Sequence, residues 1–167
     1  MNKGKIFSKE DLEEINRKRE RNDKMEEFLK VKRSEWNDRI EGVFETIKHR
    51  NMNAQEYAKV IDAQALALSY IQKINEESSY FLNKMSKEDT SLKENKQEKF
   101  IFYSTGFGLK TNLGEKKILI DGHVAEDERG VQLLETHIDF LRESVKNLQS
   151  FNYSIKNLVA LMEYLGE

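Results

Sequence analysis

A lysine-rich stretch interrupted by aromatic residues is the part of this sequence whose residue types could do chemistry. Lys93, Lys96 and Lys99 recur every three residues, so on a helix they would form a basic ridge that leads into Phe100 and Phe102. Single-stranded nucleic acid is bound by such mixtures, because lysines neutralise phosphates while aromatic faces stack on unpaired bases. The candidate DNA-binding residues are Lys93, Lys96, Lys99, Tyr103, Lys110, Lys116 and Lys117.

A structural interpretation of the same stretch stays open, and composition alone favours it: the aromatic residues would be core and the lysines ordinary helix surface. The formal net charge of the 167-residue chain is only −2. This charge is unevenly distributed, with +2 over residues 1–50, −1 over 51–100 and −3 over 101–167. Between Met85 and Lys117 there are seven lysines against five acidic residues. Local charge, rather than the total, bears on a polyanionic partner.

Residues that could support catalysis are few. His49, His123 and His137 lie in separate segments without metal-ligand spacing, and each is expected to be a surface or helix-end histidine. The glycines of 106–108 lack the remainder of a phosphate-binding loop and indicate a turn. The carboxylates of 126–128 are expected to be solvated or to lie near a helix start. Since cysteine is also absent, the sequence predicts no enzyme, no cofactor and no metal site.

The elements that must position the lysines are predicted to be long helices, because the chain contains no proline. Ser8 and Asp11 form a capping-box pattern at the start of a helix that runs toward residue 50. Residues 16–24 contain no apolar side chain, so residues 8–24 are expected to project or fray. Apolar periodicity then predicts an antiparallel helical hairpin formed by 25–50 and 54–85.

A short β or loop insertion is expected after this hairpin. The run KKILI at 116–120 is β-branched and short, which favours a strand. Residues 100–103 could pair with it as a hairpin or could end the preceding helix, and the second alternative is favoured. Neither the N-terminal residues nor any apolar run resembles a signal peptide or a membrane span of roughly 18 residues.

The C-terminal third carries an apolar seam with heptad spacing. The seam could pack internally, or it could join copies of the chain, and the large apolar content of this segment favours self-association. The predicted fold is one mainly α domain: a charged N-terminal helix (1–50), a helix with the lysine–aromatic segment (51–125) and a C-terminal helical assembly region (126–167). The candidate oligomerisation residues are Leu134, Ile138, Leu141, Val145, Leu148, Ile155, Leu158 and Met162.

Two blocks of the sequence resemble a known family. The segment 133–159, LLETHIDFLRESVKNLQSFNYSIKNLV, is similar to the C-terminal region of the UvsY-type phage recombination mediators, with an apolar helix, an aromatic break and a closing Ile-Lys-Asn step. Upstream, KFIFYSTG at 99–106 is similar to that family's basic and Tyr-Ser-Gly motif, and Leu-Ser-Tyr at 68–70 matches a further short step. The resemblance covers about residues 60–165, and its specificity lies in the order of these blocks.

The resemblance implies a non-enzymatic mediator in the cytoplasm of an infected bacterial host. Such a protein forms a ring-like homo-oligomer through its C-terminal helices and binds single-stranded DNA. It helps to load a RecA-like recombinase onto strands covered by single-strand binding protein. Lys99 takes the family's basic position, and Tyr103, Ser104 and Gly106 match the rest of the motif.

This chain departs from the family pattern at two places. Gln97 occupies the motif's second basic position, where Lys96 could substitute, and the charged helix 8–50 has no counterpart in the family. The alternative function is a helical phage assembly or adaptor protein that binds a protein partner and no DNA.

Overall fold

The chain folds into long α-helices, as the absence of proline predicts. The computed structural model describes residues 7–48, 54–106 and 112–165. Within these ranges three helices follow one another: α1 (Lys9–Lys48), α2 (Ala54–Ile101) and α3 (Leu113–Leu165). A π-helical turn, Phe102–Gly106, continues from α2, and none of the described residues lies in a β-strand. The mainly α prediction is confirmed.

The predicted strand at 116–120 is wrong, because these residues form the second turn of α3. A capping box that the sequence reading missed starts this helix. The Glu115 backbone N–H donates to Asn112 Oδ1 at 2.8 Å, and the Asn112 N–H donates to Glu115 Oε2 at 3.0 Å. These two bonds satisfy N–H groups that an uncapped helix start leaves free, so the helix prevails over the β preference of the KKILI run. The favoured alternative for residues 100–103 is confirmed, since Ile101 ends α2.

The predicted capping box at the start of α1 is confirmed. The Asp11 N–H donates to Ser8 Oγ at 3.0 Å, while the Ser8 N–H donates to Asp11 Oδ2 at 3.0 Å. We therefore expect Ser8→Ala to lower the free energy of unfolding by about 1 kcal/mol, the usual cost of a lost N-cap. Denaturant unfolding measures this change. The control is Ser86→Ala on the exposed surface within α2, which should leave the midpoint nearly unchanged; equal effects of the two substitutions would contradict the capping role.

Contacts divide the chain into two units, and each helix contributes a segment to both. Unit 1 takes the described residues of Met1–Phe28 and Leu82–Thr136, and unit 2 takes those of Leu29–Phe81 and His137–Glu167. This division cuts across the segments 1–50, 51–125 and 126–167, because every helix has residues in both units.

Unit 2 has an apolar core of the usual kind. Trp36 of α1 packs edge-on against Tyr70 of α2 at a ring-centroid distance of 5.8 Å, as expected for the predicted antiparallel hairpin. The buried apolar residues come from all three helices. They are Leu29, Trp36, Ile40, Val43, Val60, Ala63, Ala67, Ile74, Phe81, Ile138, Leu141, Leu148 and Ile155.

Unit 1 has a small apolar core with a polar layer beside it. Its buried apolar residues are Leu92, Tyr103, Ile120, Val124 and Leu134, and its buried polar residues are Asn22, His123, Glu126 and Asp127. The first part of α1, which the sequence reading expected to project or fray, packs on this polar layer through ion pairs. That expectation is wrong because charged side chains, rather than an apolar face, attach the helix here.

The C-terminal seam is used inside the chain. Leu134, Ile138, Leu141, Leu148 and Ile155 are each at most 1% exposed. Of the other seam residues, Val145 and Leu158 are half-buried, and the side chain of Met162 lies outside the described part. The assignment of the five buried residues to an oligomer interface is therefore corrected: the internal alternative holds for them, because their surfaces are already covered.

Among the described helices, none has a stretch long and apolar enough to span a membrane.

Candidate nucleic-acid interface

A groove in unit 1, between the end of α2 and the start of α3, brings together part of the predicted lysine–aromatic stretch. Its volume is about 620 Å³. We name it the lysine groove; its lining residues are Lys96, Gln97 and Phe100 from α2, and Leu113, Gly114, Lys116, Lys117, Ile120 and Asp121 from α3. The helical form of residues 116–120 creates this groove, since it turns Lys116, Lys117 and Ile120 toward α2.

The lysine groove combines apolar walls with positive charge. Phe100 lines the groove and keeps 47% of its surface exposed, so its ring is accessible to a ligand. Neither Lys116 nor Lys117 has a carboxylate of the described residues within 4.0 Å, whereas Lys96 Nζ lies 2.6 Å from Glu128 Oε1. Asp121 is the single acidic lining residue in the part of the chain that the structure describes. This arrangement could bind a ligand that has both flat apolar groups and negative charge.

The other predicted DNA-binding residues lie elsewhere. Lys93 is exposed and pairs with Asp89 one turn earlier, at 2.6 Å. Lys99 pairs with Asp11 of α1 at 2.9 Å, and Tyr103 is only 2% exposed. Lys110 lies outside the described residues. The predicted strip is therefore not one continuous surface: Lys96, Lys116 and Lys117 meet at the groove, while Lys99 pairs with α1 and Tyr103 is buried.

Tyr103 belongs to a buried polar cluster that the sequence reading missed. Its hydroxyl lies 2.7 Å from His123 Nε2, and the ring centroids of Phe7 and His123 are 4.4 Å apart. Burial raises the pKa of Tyr103, and burial together with the nearby Lys99 charge lowers the pKa of His123. The prediction of a surface or helix-end position is wrong for His123, which is 7% exposed because α1 and Phe7 cover it.

Asp11 connects this cluster to Lys99. Its Oδ1 lies 2.9 Å from Lys99 Nζ and 3.8 Å from His123 Nδ1. Partial burial acts to raise the pKa of Asp11, but hydrogen bonds from Lys99 and Ser8 prevail and lower it to about 2. A cavity of about 70 Å³ beside the cluster is far smaller than the roughly 300–1,000 Å³ of an organic substrate site.

The carboxylates of 126–128 fasten α1 to α3, and the expectation that they are solvated is wrong for Glu126 and Asp127. Arg19 Nε lies 3.1 Å from Glu126 Oε1, and Lys18 Nζ lies 2.9 Å from Asp127 Oδ2. Asn22 Nδ2 donates to the Glu126 carbonyl at 2.6 Å and to its carboxylate at 3.0 Å. The signal in the sequence is complementary charge: a basic run in the first half of α1 and an acidic run in α3.

His137 occupies a buried position in unit 2, so its expected surface or helix-end position is also wrong. It is fully buried, and the Phe81 ring packs edge-on against it at a ring-centroid distance of 4.6 Å. Its Nε2 lies 3.4 Å from Glu77 Oε1, and the other Glu77 oxygen accepts a hydrogen bond from Trp36 Nε1 at 3.0 Å. His49 lies outside the described residues. Within the described ranges, no three His, Cys, Asp or Glu side chains converge as metal ligands would.

The burial of His137 predicts a pH dependence of stability. Burial lowers the pKa of His137 below the ordinary value of a histidine, although Glu77 opposes this effect. The unfolded state therefore binds more protons than the folded state as the pH falls below about 6.5, and stability decreases with decreasing pH. Thermal unfolding of the wild type between pH 7.5 and 5 should show this loss, and His137→Gln should flatten the curve. An unchanged slope in the variant would contradict it.

Comparisons with known proteins assign no family to the chain. No family model, curated protein or solved structure matches it. The interpretation of the lysine groove therefore depends on the groove's own residues.

Proposed function

We propose that this chain is a non-enzymatic recombination mediator that binds single-stranded DNA as a homo-oligomer. It helps to load a RecA-like recombinase onto strands covered by single-strand binding protein, in the cytoplasm of an infected bacterial cell. The lysine groove is the observation that carries the DNA-binding part of the proposal. The loading step and the ring rest on the resemblance to the UvsY-type mediators.

The lysine groove has the chemistry that an unpaired strand requires. The accessible ring of Phe100 offers a stacking surface for a base, and apolar walls at Leu113 and Ile120 favour the removal of base faces from water. Lys116 and Lys117 are available for phosphates, because no described carboxylate pairs with them. A duplex keeps the faces of its bases stacked inside the helix, where the Phe100 ring cannot stack on them, so it should bind less tightly than a single strand.

One groove per protomer gives a modest affinity, which self-association would increase. Several copies on one strand convert later contacts into intramolecular ones, and the overall affinity then exceeds that of each groove. This explains how a chain with a net charge of −2 can bind a polyanion. Because five seam residues are used internally, the proposed oligomer must use other surfaces. Exposed apolar side chains of unit 2 are candidates, among them Leu68, Tyr153, Leu161 and Tyr164.

Titration of a fluorescent oligo-dT tests the proposed function. At low salt the protein should bind the oligonucleotide with micromolar or tighter affinity, and the affinity should fall as salt rises because bound counterions are released. The control is a duplex of the same length, which should bind more weakly. The absence of binding to oligo-dT at low salt would overturn the proposal.

A helical assembly or adaptor protein is the second candidate. It is favoured by the intramolecular use of Lys99 and Tyr103, which leaves fewer residues for DNA than the sequence suggests. Such a protein would bind a protein partner through its exposed apolar residues and would leave oligo-dT free at every salt concentration.

A further inference from the structure

We propose that the first turns of α1 cover a second part of the DNA-binding surface, and that single-stranded DNA displaces them. We name residues 7–14 the α1 cap. The cap covers Lys99 through Asp11 and His123 through Phe7, both in unit 1. This inference rests on the proposed function and adds to it a cryptic site with its own phosphate and base contacts.

Few contacts hold the α1 cap in place. The Asp11–Lys99 ion pair is 2.9 Å long, and its side chains are 23% and 28% exposed, so water and salt screen it. Phe7 packs on the His123 ring, and Asp11 Oδ1 lies 3.8 Å from His123 Nδ1. Leu12, the other large apolar residue of the cap, is exposed. Helix ends fray most readily, so the α1 cap is the least firmly attached part of the first half of α1.

The next turns of α1 form an anchor that should stay attached. Lys18 pairs with Asp127, Arg19 pairs with Glu126, and Asn22 donates twice to Glu126. Removal of this anchor would leave the buried carboxylates of Glu126 and Asp127 with only Arg129 and Asn95 as partners among the described residues, and these charges would also repel DNA. Opening is therefore expected to stop before Lys18.

Displacement of the α1 cap would extend the lysine groove along α2. Lys96 and Phe100 of the groove are four residues apart, as are Lys99 and Tyr103, so the two pairs are neighbours on the helix surface. A phosphate would replace the Asp11 carboxylate at Lys99, and the His123 ring, which Phe7 covers, would become available for stacking on a base. Glu98 and Asp127 line the small cavity beside Lys99 and would partly offset its charge.

Asp11→Asn tests the competition between Asp11 and phosphate. Asn retains an oxygen that accepts the hydrogen bonds of Ser8, but it no longer holds Lys99 by charge. Oligo-dT should bind this variant about two- to fivefold more tightly than the wild type. This gain in affinity corresponds to the free energy that a partly exposed ion pair contributes. The control is Glu13→Gln, which makes the same charge change on the same turns at a residue that pairs only with Lys9 among the described residues. It should leave the affinity nearly unchanged.

Two further measurements separate a cryptic site from a general charge effect. Lys99→Ala in the Asp11→Asn background should remove the gain in affinity. Amide hydrogen exchange in the wild type should show that oligo-dT lowers protection near residues 12–15 but not in the anchor at 18–22. Equal affinities of the Asp11→Asn and Glu13→Gln variants, or an α1 cap that stays protected when DNA is bound, would overturn the inference.

Failure of this inference is distinguishable from failure of the proposed function. If the wild type binds oligo-dT but Asp11→Asn does not raise the affinity, only the inference of a cryptic site is wrong. If the wild type does not bind at low salt, the proposed function and the cryptic site are both wrong.

Discussion

Replacement of Leu141 by alanine is expected to lower the free energy of unfolding by about 2–5 kcal/mol. Leu141 is fully buried in unit 2, in the middle of the C-terminal seam. Truncation removes apolar contacts and leaves a cavity that the rigid neighbouring helices cannot fill, and both effects destabilise the folded state. Denaturant unfolding followed by circular dichroism measures the loss, and the effect should not depend on protein concentration.

Ile118→Ala is the matched control, because Ile118 lies on the same helix but is 72% exposed. Its effect on the free energy of unfolding should stay within about 0.5 kcal/mol. If Leu141→Ala instead leaves the stability of the monomer unchanged and only dissociates an oligomer, the seam joins copies of the chain and the internal packing is wrong.

Replacement of both Lys116 and Lys117 by alanine is expected to weaken oligo-dT binding by about tenfold or more at low salt, because two phosphate contacts are lost. The slope of log Kobs against log salt concentration should also fall by about two, roughly one for each lysine. Lys117 is exposed and Lys116 is half-buried, and neither belongs to the buried core, so the fold should not change. Fluorescence anisotropy at several salt concentrations measures the two quantities together.

The control for this double variant is Lys146→Ala with Lys156→Ala, which removes the same charge from α3 outside the lysine groove. If binding responds only to net charge, the two double variants will weaken it equally, and the groove then has no special role. An unchanged salt slope in the Lys116/Lys117 variant would likewise contradict direct phosphate contacts.

The helices themselves could be predicted from the sequence, because their signals are local. The Ser8–Asp11 capping box forms as expected, and the apolar spacing in 25–50 and 54–85 identifies an antiparallel hairpin. The strand expected at 116–120 failed because the β preference of a short run is weak, whereas the cap at Asn112 fixes the helix start. The heptad spacing identified buried residues, but spacing alone does not say whether the covering surface belongs to the same chain.

The polar packing of unit 1 could not be predicted from apolar periodicity. The first half of α1 has almost no buried apolar residue, and its partners lie more than 100 residues away in α3. Such an interface is visible in the sequence only as complementary charge runs, which are also common on solvated surfaces.

Part of the candidate site could be predicted from its residue types, since Lys96, Lys116 and Lys117 meet in one groove. The surroundings of Lys99 and Tyr103 depend on which other segments pack against them. The spacing of these two residues along the chain carries no information on that packing.

Photo-cross-linking of oligo-dT to the wild-type protein, with the attached peptides mapped by mass spectrometry, tests most directly whether the lysine groove binds single-stranded DNA. Thymine should attach to Phe100 and to peptides within 113–121, and excess unlabelled oligo-dT should suppress these attachments. Attachments confined to unit 2, with none at Phe100 or within 113–121, would contradict the lysine groove as the site of DNA binding.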